Sequence, residues 1–172
     1  GATENYWGPV ISSTPAEQTV NVRNADPSPP GEAVLEVTLQ GLTTASHQVR
    51  ILLNGNQAGT AAWEGQTQKV TTITFNQAAL LSGDNRVTLT ALGGETDVSL
   101  IDTIRLTYYH TYTADENYLR FTAEGGKRVS VEGFSSSSIR VVDITNPKRV
   151  HEISGQVRAY GSGYAVQFVS RL

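Results

Sequence analysis

The stretch VSLIDTIRLTYY, residues 98–109, alternates in hydropathy with period two, the spacing at which a β-strand sends side chains to opposite faces. Val98, Leu100, Ile104, Leu106 and Tyr108 share one face. Ser99, Thr103, Arg105 and Thr107 share the other with Ile101 and Tyr109. The apolar face has a single polar interruption, Asp102. A half-buried strand of this length needs hydrogen-bonded partners on both edges and a second layer over its apolar side, so the remaining chain has to supply them.

The residues before it read as those partners. TVNVR (19–23) turns Val20 and Val22 inward, and the prolines at 27, 29 and 30 with Gly31 then interrupt regular structure. In AVLEVTLQGL (33–42) Leu35, Val37 and Leu39 oppose Glu36, Thr38 and Gln40. In HQVRILL (47–53) Val49, Ile51 and Leu53 point inward, and Asn54-Gly55-Asn56 supplies a tight hairpin turn, with the return strand running to Trp63. KVTTITF (69–75) is rich in β-branched residues. NQAALL (76–81) is the one stretch that reads as a helical turn, closed by Ser82-Gly83. NRVTLTA (85–91) alternates cleanly before Gly93-Gly94 turns the chain into residues 98–109. The opening 17 or so residues, with Tyr6, Trp7, Gly8, Pro9 and Pro15, read as an irregular strap. About seven strands at this spacing predict an all-β, antiparallel sandwich.

After His110, TYTADENY reads as a linker. Short strands then recur at 118–122, 128–131, 139–143, 156–160 and 164–169, separated by Gly125-Gly126, the serines at 135–138, Asn146-Pro147 and Gly161-Ser162-Gly163. The expected organisation is a sandwich over residues 1–112 and a small β-subdomain over 113–172.

At 172 residues the chain is long enough to bury a core without disulfides or metals. With no cysteine it has no disulfide framework, thiolate zinc site or cysteine nucleophile. A net charge of -3 and 13 scattered Lys and Arg give no basic footprint, so nucleic acid is not an expected partner. No apolar run approaches the ~20 residues that span a bilayer, and membrane insertion is not expected. The absence of methionine, even at position 1, leads us to expect a processed product or an excised piece of a longer chain. The plentiful Thr, Ser, Gly, Val, Asn and Gln lean toward a secreted or cell-surface protein.

The catalytic inventory is thin. His47, His110 and His151 lack any HxH or HExxH spacing, and the plain expectation is solvent-facing or strand-edge histidines. Gly161-Ser162-Gly163 has neither the spacing nor the helix of a nucleophile elbow and reads as a hairpin turn. The 16 acidic residues fall mostly on outward strand positions or in turns, so a glycosidase pair finds no support. Asp102 stands out, because a charge on an apolar face is costly unless paired or hydrogen-bonded. One reading makes it a structural calcium ligand, with Asp97 first, and Asp84 and Asp26, as partners. The plainer reading gives it backbone N–H or arginine partners, and no other cofactor is expected. Exposed aromatics can also form carbohydrate platforms, for which Trp63, Tyr109 and Tyr112 are the candidates, with Trp7 and Tyr118 behind them. Core or edge packing is the commoner use of such residues.

Three pieces taken in order carry a resemblance: ILLNGNQAGTAAWEG, LLSGDNRVTLTAL, and SLIDTIRLTYY continuing to VSVEGFSSSSIRVVDITNPKRV. They resemble the β-rich domain that precedes the caspase-like catalytic domain of gingipain-type secreted cysteine peptidases. There an LNG hairpin, an L-x-x-G-x-N-x-V strand entry and a D-x-I strand come before V-x-D-[VI]-T-x-P. The matching positions are Leu53 to Gly55; Leu80, Gly83, Asn85 and Val87; Asp102 and Ile104; and Val141, Asp143, Thr145 and Pro147. The resemblance implies a jelly-roll sandwich of galactose-binding-like type, followed by a β-subdomain leading into the peptidase. The family's catalytic His and Cys belong to that next domain, so none is carried onto this chain. The function expected is therefore a non-catalytic accessory module, outside the cell or on its surface, with the neighbouring domain of the same polypeptide as partner. The alternative is a carbohydrate-binding module.

Overall fold

A computed structural model describes residues 8–28 and 31–171. The chain divides into two compact units, Gly1–Tyr109 and His110–Leu172. Trp7 and the first part of the expected N-terminal strap lie outside the described residues, as do Pro29 and Pro30. The rest of that strap is not irregular throughout: Val10–Ile11 and the residues from Ala16 onward are strands, because their backbone groups pair with Ser99–Leu100 and with Gly83–Leu89.

Among its described residues the first unit holds eight strands: β1 (Val10–Ile11), β2 (Ala16–Val22), β3 (Glu32–Gly41), β4 (Ser46–Leu53), β5 (Asn56–Glu64), β6 (Gln68–Asn76), β7 (Gly83–Ala91) and β8 (Ser99–Thr107). They form two four-stranded antiparallel sheets, ordered β1-β8-β3-β6 and β2-β7-β4-β5. This interleaving of early and late strands is that of a two-sheet jelly roll, as the sequence leads one to expect. The core lies between the sheets. Leu35, Val37 and Leu39 of β3 meet Val49 and Ile51 of β4 and Val87 and Leu89 of β7, all with no solvent exposure. Each contributes about 1.5–3 kcal/mol by leaving water.

Local chemistry fixes the turns. Asn54 and Gly55 form a two-residue hairpin loop with φ of 51° and 83°, the doubly positive geometry that Asn-Gly enters most readily. The expected helical turn is a short 3-10 turn over Gln77–Ala79, whose N-cap Asn76 accepts from the N–H of Ala78.

Strand β8 departs from its simple alternation. Its ladder with β3 pairs Thr38 with Thr103 but Leu39 with Ile101, so Asp102 is the extra residue of a β-bulge. The period-two reading put Leu100 in line with Ile104 and Leu106 and left Ile101 on the polar face. The bulge reverses that start: Ile101 lies in the core with Ile104 and Leu106, and Asp102 is exposed. The charge on the apolar face is thus removed by a change of register rather than by a buried partner.

The second unit holds β9 (Arg128–Phe134), β10 (Val141–Asp143), β11 (His151–Ile153), β12 (Gln156–Tyr160) and β13 (Gly163–Val169). They form a three-stranded antiparallel sheet β12-β13-β9 and a separate β10-β11 pair. Gly161-Ser162 is the hairpin turn between β12 and β13. Val129, Val131, Val166 and Phe168 make a small core of their own. The strand expected over 118–122 is not one. Leu119 and Ala123 pack on the small core and Arg120 and Thr122 face outward, as in a half-buried strand. No backbone hydrogen bond joins residues 119–123 to any described residue, so the alternation lacks a ladder.

Candidate functional site

Four features concentrate polar or accessible chemistry. The first lies inside the sandwich. His47 on β4 is 2% exposed and Asp97, in the loop entering β8, is wholly buried. His47 Nδ1 donates to Asp97 Oδ1 at 2.8 Å, and the other carboxylate oxygen accepts the backbone N–H groups of Gln48 (3.0 Å) and Gly93 (2.9 Å). Burial is the largest single influence on this carboxyl and pushes its pKa up. The two amides and His47 together outweigh it and hold the group below the usual carboxylate range. Trp63 of β5 stacks on His47 with ring centroids 4.6 Å apart. His47 was expected at a strand edge or in solvent. It sits instead on an inner strand, because its partner arrives 50 residues later in sequence.

The second feature joins two of the resemblance motifs. Asn85, fully buried, accepts from Asn54 Nδ2 (2.9 Å) and Leu81 N–H (2.8 Å), and donates to the carbonyls of Leu81 and Gly83. Asn54 Oδ1 in turn accepts the N–H of Arg86. The LNG hairpin and the L-x-x-G-x-N-x-V entry are therefore one hydrogen-bonded knot at one end of the sandwich.

The third feature is Gln77, 5% exposed, which donates to the carbonyls of Asp26 and Tyr109 and accepts the N–H of Tyr109. It pins the chain where β8 ends.

The calcium candidates stand apart. Asp97 is enclosed with both oxygens engaged, whereas Asp102 lies at the surface and accepts from Gln68 Nε2 at 3.0 Å. Asp84 accepts from Asn21, and Asp26 from the N–H of Ser28, which draws its pKa down. No group of three or more His, Asp or Glu able to hold a metal ion occurs among the described residues. The carbohydrate candidates are also dispersed. Trp63 is half-buried against the core, and Tyr109 is 63% exposed beyond the end of β8, in the opposite sheet. Tyr112 belongs to the second unit and packs edge-on against Phe121, centroids 5.0 Å apart.

The fourth feature is a groove of about 540 Å³ within the second unit. Val131, Val166 and Phe168 lie under it, residues 119–123 form one border and residues 139–145 another. Arg120, Arg140 and Arg171 line it against a single acid, Asp143. The V-x-D-[VI]-T-x-P motif forms part of its rim, where Asp143 Oδ1 accepts the N–H of Thr145 and the carboxylate lies 4.0 Å from Arg171. Thr145 is the main influence holding the Asp143 carboxyl below its ordinary range. The motif is legible in the sequence, whereas the groove is not. Its walls come from three separate segments, and the only signal was a run of β-type alternation at 118–122 with no neighbour to pair with.

No protein-family model and no curated protein sequence matches the chain. Among solved structures, dimeric latent PorU from Porphyromonas gingivalis is similar in fold, with a TM-score of 0.69 and 12% identity over 97% of this chain. The chain spans only 17% of the length of that protein. The match agrees with the β-sandwich fold that the resemblance read from the sequence implies. A CBM36 carbohydrate-binding module in complex with calcium and xylotriose aligns at TM-score 0.43 and 15% identity, over 62% of this chain and 91% of its own. The CBM36-1 domain of a multidomain xylanase from the hindgut metagenome of Trinervitermes trinervoides aligns at TM-score 0.45 and 13% identity, over 63% and 90%.

Proposed function

We propose that the chain is a non-catalytic accessory module of a larger secreted or cell-surface protein of gingipain type, and that its second unit holds or orients the neighbouring domain. The observation that carries this reading is the extent of the PorU likeness, which takes in 97% of this chain as 17% of a much longer one. The order of the sequence motifs supports it independently, because the motifs fall on structural knots rather than on reactive groups. The second unit suits a contact role. It is small, carries an open groove, and leaves Tyr118, Ile144 and Tyr160 exposed, the kind of surface that marks interaction sites.

The test takes the domain that follows in the parent reading frame as a separate polypeptide and titrates it against this chain by calorimetry. Saturable binding that protects the second unit from amide exchange is the expected result. The absence of binding, or a following domain unrelated to peptidases, overturns the proposal. A thermal-shift panel with calcium and simple sugars is expected to be flat. A sugar that raises the melting temperature in proportion to its concentration overturns the accessory reading in favour of carbohydrate binding.

A further inference from the structure

We propose that the groove of the second unit is a strand-addition site, taking an extended peptide segment whose side chains alternate between acidic and apolar. This deepens the accessory reading and rests on it, since it names the contact by which a partner is held. Residues 119–123 have the half-in, half-out alternation of a strand, yet no described residue pairs with their backbone. Five successive residues with unpaired backbone groups beside an apolar floor form an open edge, which folded proteins otherwise cover or blunt. An incoming strand supplies these backbone groups with the partners they lack. Its alternate side chains then lie on the floor made by Val131, Val166 and Phe168.

Charge selects the occupant. Of the three arginines that line the groove, Arg140 is held by Glu152 at 3.0 Å and Arg171 lies 4.0 Å from Asp143. Arg120, exposed on the open edge itself, has no ion pair among the described residues. A strand with carboxylates at its outward positions places one beside Arg120, whereas a basic strand meets three guanidinium groups.

The experiment uses the whole chain and three acetylated, amidated peptides of about eight residues, long enough at ~3.3 Å per residue to cover the edge. One alternates glutamate and valine, one lysine and valine, and the third is the first with alternate backbone amides N-methylated. The glutamate peptide is expected to bind and to slow amide exchange within 119–123, while the other two do not. Arg120→Glu is expected to weaken binding by about fivefold or more, and Arg120→Lys to retain most of it. Equal binding of the lysine or N-methylated peptide, or protection elsewhere, overturns strand addition. If the neighbouring domain binds while the glutamate peptide does not, the accessory reading stands and strand addition falls. Self-association that buries residues 119–123 also overturns it, since the occupant is then a second copy.

Discussion

The buried pair of His47 and Asp97 stakes the most on one charge. An ionised carboxylate inside the sandwich is tolerated because three donors point at its two oxygens. Its folded pKa lies below the unfolded one, so the unfolded chain binds more protons in the acid range. Its contribution is complete above about pH 4 and disappears as pH falls below that. Asp97→Asn turns an amide nitrogen toward one of those donors and should cost about 3 kcal/mol at pH 7. Urea denaturation at pH 7 and pH 3 should show the gap to the parent narrowing at the lower pH. A gap independent of pH refutes the assignment of the charge. Asn85 is neutral, and its knot should not respond to pH. Asn85→Ala leaves the carbonyls of Leu81 and Gly83 and the Asn54 amide without their partner, for an expected loss of about 3 kcal/mol at either pH. Gly41 has a different constraint: a Cβ there would stand 2.2 Å from the Gly65 carbonyl oxygen and 2.7 Å from His47 Nε2. Gly41→Ala should therefore destabilise by about 1–3 kcal/mol through crowding, read as a lower denaturation midpoint at unchanged slope.

Among the elements, period-two alternation, Asn-Gly and the proline breaks made the sandwich strands legible, because each of those signals acts between near neighbours in sequence. The bulge at Asp102 was visible only as an oddity. Nothing local tells a misplaced charge from a shift of register, and the answer depends on where β3 places Thr38 and Leu39. The His47–Asp97 pair and the walls of the groove were not legible for the same reason: their members meet only through the topology. The bulge yields a test of its own. Deleting Asp102 restores a regular ladder while Ile101, Ile104 and Leu106 keep their inward places, so the protein should remain folded. Deleting Arg105 turns either Ile104 or Leu106 outward and should cost about 2 kcal/mol more. Equal stabilities of the two deletions by chemical denaturation refute the register.

At the scale of the whole molecule the two units differ in how much they bury. The sandwich encloses a core running through both sheets, whereas the core cluster of the second unit is the small set Val129, Val131, Val166 and Phe168. Amide exchange should therefore be slowest in β3, β4 and β7 and markedly faster throughout β9–β13, with opening of the second unit leaving the sandwich protected. Uniform protection across both units would contradict this. The way β1 is attached matters once the protein is under tension. Its two residues run antiparallel to β8, and Gly8 and Pro9 continue the pairing at Ile101, so the chain leaves β1 toward the same end of the sheet at which β8 finishes. A pull between that exit and the end of β8 loads these hydrogen bonds one after another, as in a zipper, instead of sharing the force among them. The strand peels at low force, while the longer β3–β8 ladder behind it keeps the two sheets together. Such an element lets the sandwich lengthen by a few residues under load without unfolding.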